Sequence, residues 1–191
     1  MSTIADPNKA YAWQDGDAFR APAGTALPAN PFTDTPTTGT APGVVWDGFG
    51  GIEAGFEKNP KQDTKKHPVF NKRKRPYKLT RGMREESIKF RAVDYSKASV
   101  LTALLGGSIV QVGSTQVYRW VEGDSENFAL LWTLGDESDG GDDRLGFYVA
   151  EATLATPPPR SFTGENLDGW ELEIEALTEV IPISNFNPLT V

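Results

Sequence analysis

Residues 84–94 read REESIKFRAVD and alternate between two kinds of side chain. In an extended chain one face carries Glu86, Ile88, Phe90 and Ala92. The opposite face carries Glu85, Ser87, Lys89, Arg91 and Val93, which are mainly charged. Side chains of a β-strand point alternately to its two faces, so this pattern predicts a half-buried strand. Residues 169–180, GWELEIEALTEV, alternate in the same way and predict a second one. The two stretches favour an antiparallel sheet with one apolar face.

Turn residues and apolar runs predict more elements of the same kind. We expect further strands at 44–57 (with a bulge at its glycines), 108–113, 115–123, 127–135 and 144–156. We also expect a turn at Gly113-Ser114, a hairpin or strand pair at Asp15-Gly16-Asp17, and one helix at 96–105, capped by Asp94 or Ser96. The chain is therefore predicted to be one mainly β domain over 1–191. Its fold is an antiparallel β-sandwich or barrel-like domain of about seven to nine strands with one flanking α-helix.

Three segments are predicted to lie outside this regular structure. The first is a Pro/Thr-rich loop at 21–43, and the last is a C-terminal tail at 181–191. Between them, residues 58–80 contain Pro60, Pro68 and Pro76 and many like charges, so we expect an extended arm or a flexible loop there. Loops of this length in a compact domain are usually functional or disordered.

The composition argues against catalysis and against bound metal. The chain has no cysteine, which excludes disulfides, thiolate metal sites and cysteine nucleophiles. Its one histidine, His67, lies among lysines, so neither a transition-metal site nor a Ser-His-Asp triad can be assembled from the usual parts. We expect a protein that is not an enzyme and has no cofactor. No run is apolar enough to cross a bilayer and no secretory signal is visible, so we expect a soluble protein made in a cytoplasm.

Charge is distributed unevenly along the chain. Between Lys58 and Arg84 there are eleven Lys/Arg residues and one acid, Asp63, so this stretch carries +10 with His67 neutral. The whole chain carries −7, and everything outside the stretch therefore sums to −17. The cations of the arm are Lys58, Lys61, Lys65, Lys66, Lys72, Arg73, Lys74 and Arg75. Four interpretations stay open for them: nucleic-acid binding, a nuclear-import patch at KRKR 72–75, contact with an acidic surface on another copy, and a merely solvated loop.

Two acidic features are the possible counterparts of the arm. One is the loop that carries Asp136, Glu137, Asp139, Asp142 and Asp143, which could meet a basic partner, hold Ca²⁺ or be a solvated turn. The other is the row formed by Glu171, Glu173 and Glu175 on the charged face of the last strand. That row is either paired with Lys89 and Arg91 on a neighbouring strand or left as a negative wall that repels phosphate.

The order of these elements resembles that of the major tail tube proteins of long-tailed bacteriophages, especially those of actinobacterial hosts. The resemblance covers about residues 10–180. It is carried by GTALP at 24–28, WDGFGGIEAGFE at 46–57, a long polar loop, REESIKFRAVD, a helix ending in LLGG, and the WELEIEALTE strand. The basic arm departs from the pattern, because its charge is not diagnostic of that family.

The resemblance implies a structural virion protein. Its members form hexameric rings that stack into a hollow tube, built around a tape-measure protein, through which genomic DNA is ejected. It further implies assembly in the host cytoplasm and contacts with other tail proteins. On this basis we expect 84–94 and 169–180 to line the lumen, with Glu171, Glu173 and Glu175 facing it, and the arm to contact neighbouring subunits. The alternatives are a nucleic-acid-binding protein that uses 58–84, or another virion component such as a head decoration or tail-completion protein.

Overall fold

A computed structural model of the chain describes residues 10–32, 46–71, 75–136, 142–160 and 162–189. These residues form ten β-strands and one α-helix, and every strand pairing among them is antiparallel. The elements are β1 Asp15–Pro22, β2 Asp47–Gly48, β3 Ile52–His67, β4 Lys78–Ala92, α1 Lys97–Ala103, β5 Ser108–Gln111, β6 Tyr118–Val121, β7 Phe128–Asp136, β8 Asp143–Leu154, β9 Trp170–Ala176 and β10 Ile181–Ser184. The predicted mainly β, sandwich-like fold is confirmed.

Eight strands form one curled sheet, in the order β2-β1-β7-β8-β9-β4-β3, with β10 paired to β8. Strand β8 divides this sheet, because its first part pairs with β10 and its last part, Ala152–Leu154, pairs with β9. The far ends then approach each other. A Cβ added to Gly16 of β1 would lie 3.0 Å from the ring of Phe56 on β3. The sheet therefore folds around its own apolar face.

The core fills the inside of this curl. Ile88 and Phe90 of β4 and Leu172 and Ile174 of β9 are buried there, as their alternation predicts. Strand β7 is buried on both faces, because its other face packs in a second cluster containing Ala129, Leu131, Trp46 and Tyr148. A strand covered on both sides explains the nearly continuous apolar run FALLW in its sequence.

Helix α1 closes one side of the core and begins at the predicted cap. The Ser96 hydroxyl accepts a hydrogen bond from the Ser99 amide at 3.1 Å and itself donates to the Phe49 carbonyl at 2.9 Å. The chain leaves the helix through Gly106, whose φ of +76° is open to glycine at little cost. The helix is three residues shorter than the predicted 96–105 because its ends are turns.

The largest correction concerns the basic arm. It is extended, as one of the two predicted alternatives had it, but it is paired: β3 continues to His67 and β4 begins at Lys78, so most of 58–80 is a β-hairpin, with one register shift between Gln62 and Thr64. Pro60 is tolerated because β3 is the last strand of the sheet, where a missing backbone N–H need not interrupt a ladder. The predicted bulge near the start of β3 is confirmed by a register shift between Glu53 and Glu57.

Other boundaries also differ from the prediction. Asp15-Gly16-Asp17 begins β1 and is not a turn, and β1 extends through Pro22, into the predicted 21–43 loop. The predicted 181–191 tail begins with a strand, since Ile181–Ser184 pairs with β8. The predicted Gly113-Ser114 hairpin exists with a four-residue turn, because Val112 and Val117 are hydrogen-bonded across it. The 33–43 part of the loop and residues 44–45 of the predicted 44–57 strand lie outside the described residues.

Candidate functional site

Strands β3 and β4 run together well beyond the rest of the sheet. Strand β9 pairs with β4 only as far as Ser87, whereas β3 stays paired with β4 to His67 and Lys78. The part beyond Ser87, residues 61–85, is called the ribbon here, and in it Lys61–His67 is paired with Lys78–Glu85. From Ser87 to Lys78 is nine residues, or about 30 Å at about 3.3 Å per residue. The predicted arm is therefore a β-ribbon that extends from the body of the protein.

The predicted arm cations do not all occupy the same environment. Lys58 lies at the base, where its Nζ is 3.1 Å from a carboxylate oxygen of Glu86 and lies over the ring of Phe147. Lys61 is opposite Glu85 in the ribbon. Farther out are the exposed residues Lys65, Lys66 and Arg75, whereas Lys72, Arg73 and Lys74 lie outside the described residues.

The outer end of the ribbon, residues 64–81, is called the tip here. The tip contains eight Lys/Arg residues and no acid. Five of those cations lie in the described part of the chain, and none of these five forms an ion pair there. The tip also exposes large apolar side chains, including Phe70 at 84% and Tyr77 at 65%. Sequence reasoning considered only the charge of this segment and missed its aromatic groups.

The predicted glutamate row lies on the outer face of β9, but its members have different neighbours. Glu171 is opposite Arg91 and Glu173 is opposite Lys89, with 3.1 Å between the Lys89 Nζ and a Glu173 oxygen. The pairing interpretation is therefore confirmed for Glu173. Arg91 lies opposite Glu171 but forms its ion pair with Glu53 on β3.

Glu175 differs from the rest of the row. The residues opposite it are Ser87 on β4 and Thr153 on β8, so no cation faces it across either strand. Glu175 instead lines a groove of about 730 Å³ between the base of the ribbon and residues 173–180. The groove forms because β9 ends at Ala176 and the chain turns away, while β4 continues.

This groove, called the acid groove here, is lined by acidic and apolar side chains. Five glutamates line it, namely Glu85, Glu86, Glu173, Glu175 and Glu179, against two cations, Lys61 and Arg84. Among described residues, Glu86 is paired with Lys58 and Arg84, whereas Glu85, Glu175 and Glu179 form no ion pair. Its apolar lining residues include Ala176, Leu177 and Val180. The sequence offered no signal for this groove, because it joins elements that are distant along the chain.

The predicted acidic docking loop is only partly described. Asp136 is buried and its carboxylate accepts a hydrogen bond from the Ala12 amide at 2.7 Å, so it is turned into the protein. Asp142 pairs with Arg144 at 2.8 Å, and Asp143 is opposite Asp136 in the β7–β8 ladder. Glu137 and Asp139 lie outside the described residues. Asp136 and Asp142 thus have structural partners within the chain, whereas Asp143 lies opposite another acid.

A second hairpin carries apolar side chains toward solvent. Strands β5 and β6 form a separate two-stranded sheet that exposes Ile109, Val110, Val112, Val117, Tyr118 and Trp120. Its attachment to the body includes an edge-on contact between Trp120 and Tyr95, with ring centroids 6.2 Å apart. Isolated hairpins are at best marginally stable in water, so these aromatic contacts are important for it.

Tyr95 belongs to an aromatic cluster organised by Arg160. The Arg160 guanidinium lies 4.7 Å from the Trp170 ring centroid and also forms an ion pair with Asp168. The Tyr95 hydroxyl donates to the same carboxylate. Hydrogen bonds from Arg160 and Tyr95 hold the pKa of Asp168 below its ordinary value, and the hydrogen bond to Asp168 raises the pKa of Tyr95. The cluster fastens the segment before β9 to the body.

Comparison of the sequence with known proteins found no match. No family model matches the sequence, and no curated protein matches it. Within the described ranges, no helix is long and apolar enough to span a membrane. In the same part of the chain, no group of three or more His, Asp or Glu side chains is arranged to hold a metal ion. What the chain does must therefore be argued from its surfaces.

Proposed function

We propose that this chain is a structural subunit that associates with copies of itself into stacked hexameric rings, forming the hollow tail tube of a bacteriophage. The observation that carries the proposal is the ribbon. About 30 Å of paired hairpin extends beyond the sheet, and its outer half has no part in either core cluster. A subunit that acted alone would gain little stability from ordering it. A neighbouring subunit would give it a surface to bind.

The edges of the sheet support assembly as well. Strand β3 is the last strand of the sheet, so its sixteen residues present one row of backbone groups that no described strand pairs with. Exposed edges are prone to pair with other chains, and closing a ring covers them. The apolar β5–β6 hairpin is a second surface that a neighbouring subunit would cover.

The negative charge on the outer face of β4 and β9 is an argument for the passage of DNA through the proposed tube. The carboxylates on that face and on adjacent β3 are Glu53, Glu57, Glu171 and Glu173, while Glu175 lies at the end of the face, where the acid groove begins. Only Lys89 and Arg91 oppose them in these ladders, so the face keeps a negative charge. A negative wall repels phosphate and lets genomic DNA pass without adhering. In this proposal the protein is a virion component without catalytic activity, and its other partners are the tape-measure protein and further tail proteins.

Electron microscopy of the purified protein tests the proposal directly. Samples are raised to high concentration at several salt concentrations, and we expect rings of uniform diameter with a central hole, stacked into tubes. Particles of monomer size under every condition would overturn the proposal. Six-fold symmetry in averaged end views would distinguish the tube from a head decoration protein.

One observation favours a second candidate, a nucleic-acid-binding module. Phe70 and Tyr77 are exposed among the tip cations, and aromatic side chains between cations can stack on bases while the cations contact phosphate. Fluorescence anisotropy with labelled single-stranded and duplex DNA at low salt tests it. Tight binding that falls steeply with salt and is lost in Lys65→Glu/Lys66→Glu would favour this candidate, and weak binding that the variant leaves unchanged would reject it.

A further inference from the structure

The tip and the acid groove carry opposite charges at two different places on the same chain. We propose that the acid groove receives the ribbon tip of a second copy, so that copies join head to tail. This inference rests on the self-assembly proposed above and names its contact. The groove is the acceptor surface and the tip is the inserted element.

The outer end of the tip cannot reach the groove of its own chain. The groove extends along β4 as far as Met83, and Lys78, where the pairing of the tip ends, lies five residues or about 17 Å beyond it. Apart from one register shift between Gln62 and Thr64, β3 and β4 stay paired from Lys61 to His67, which keeps both strands extended over that distance. Only another copy can therefore bring the outer end of a tip into the groove.

The charges of the two surfaces are complementary, and neither surface is neutralised within the described chain. The tip has eight Lys/Arg residues without an acid, and the groove lining has a net charge of −3. Glu85, Glu175 and Glu179 are the groove carboxylates without an ion pair among the described residues. A tip in the groove would supply the cations that these carboxylates lack, in a partly enclosed site where salt screens less than at an open surface.

The groove is large enough for part of the tip and offers it apolar groups. Its volume of about 730 Å³ leaves room for the end of a hairpin but not for its full length. Ala176, Leu177 and Val180 are apolar lining residues, and the tip exposes Phe70 and Leu79. Aromatic side chains that enter a pocket are frequent anchors of protein interfaces.

Strand pairing offers a third element of recognition. Beyond Ser87, β4 has no partner on the side away from β3 among the described strands, so its backbone groups there are open. An incoming extended segment can pair with such an edge by strand addition. Because tip and groove are different surfaces, the contact is heterologous: it closes into a ring or continues as a stack.

Engineered cysteines test the contact, since the chain has none of its own. Asn71→Cys lies in the tip and Leu177→Cys in the groove, and neither change alters the charge. The two single-cysteine proteins, one enlarged by a tag, are mixed and oxidised, and the disulfide heterodimer is measured on a non-reducing gel. We expect about tenfold more heterodimer than from Asn71→Cys mixed with Ser114→Cys, because docking raises the effective concentration of the thiols. Equal yields from the two mixtures would overturn the inference.

Charge reversal supplies a second and independent test. Lys65→Glu/Lys66→Glu and Glu175→Lys/Glu179→Lys should each reduce the heterodimer by about tenfold, and mixing the two variants should restore it, since opposite charges then face each other again. Glu165→Lys, an exposed acid without an ion pair among the described residues, is the matched control and should have no effect.

The two proposals fail in different ways. If electron microscopy shows rings but neither the cysteine pair nor charge reversal has any effect, self-assembly stands and the tip–groove contact is wrong. If selective cross-linking occurs without rings or tubes, the contact is right and the tube is wrong. Monomers without selective cross-linking would overturn both.

Discussion

Lys89 and Glu173 lie directly opposite each other on β4 and β9, with 3.1 Å between the ammonium nitrogen and a carboxylate oxygen. Both side chains are nearly half exposed, at 46% and 40%. This ion pair accounts for one member of the glutamate row without any partner outside the chain. It contributes little to the free energy of unfolding, because water and salt screen an ion pair that is this exposed.

We predict that Glu173→Gln lowers the free energy of unfolding by less than about 1 kcal/mol, as is typical of exposed pairs. Glu126→Gln should cost more, about 2 kcal/mol, because its partner Arg20 is buried and would keep its charge with one hydrogen-bond acceptor fewer. Urea denaturation of the two variants measures the difference. Equal costs would show that the burial of Arg20 does not matter.

We predict that the tip can be removed without unfolding the domain. Thr64 and Arg81 are opposite each other in the hairpin, so replacing residues 65–80 with Asn-Gly closes the ribbon with a two-residue turn. The free energy of unfolding should change by less than about 0.5 kcal/mol, since the removed residues are outside both core clusters. Ring stacking, measured by sedimentation and electron microscopy, should be lost. A variant with Asn-Gly inserted in the β5–β6 turn is the control.

Ser96 should be important for stability although it carries no charge. Its hydroxyl caps helix α1 and also donates to the Phe49 carbonyl, which joins the helix to the start of the sheet. Ser96→Ala is expected to lower the free energy of unfolding by about 1–2 kcal/mol, measured by urea denaturation. Ser114→Ala, in the exposed turn between β5 and β6, should be neutral. A neutral Ser96→Ala would contradict the capping role.

The Asp168 cluster should make stability depend on pH in the acid range. Its pKa is held below the ordinary value by Arg160 and Tyr95, so the unfolded chain takes up this proton at higher pH than the folded chain does. Stability from this group is thus fully present above the unfolded pKa of about 3.9 and is lost as pH falls through the folded pKa. The wild type should therefore be more stable than Asp168→Asn at neutral pH, and this difference in stability should disappear below about pH 4. Thermal unfolding from pH 7 to pH 3 measures this, and an unchanged difference would contradict it.

The alternating strands could be predicted from the sequence because each has one buried face. Ile88 and Phe90 on β4 and Leu172 and Ile174 on β9 are spaced as the pleat of a strand requires. The ribbon could not be predicted in this way. Both of its faces are exposed, so no hydrophobic period marks it, and its order comes from a partner strand farther along the chain.

The turn predicted at Asp15-Gly16 and the irregular tail predicted at 181–191 were wrong for a related reason. Asp15-Gly16 is a common turn signal, yet Gly16 lies inside β1, opposite Leu134. The strand needs a glycine there because the Thr133 carbonyl oxygen would be only 2.9 Å from an added Cβ. Pro182 argued for an irregular tail, but a strand paired on one side only tolerates proline. The acid groove depends on where β9 ends relative to β4, which is a relation between distant segments. Such features are set by tertiary packing and leave no local pattern.

The separation of charge along the ribbon gives the subunit a large electric dipole, with its positive pole at the tip and its negative pole on the body. Two such molecules attract most strongly when they approach tip to body, before any side chains touch. Encounter should then be fast at low ionic strength and slow steeply as salt is added. The same ribbon would thereby orient each arriving copy, and the rate of growth would depend on the ionic conditions in which it occurs.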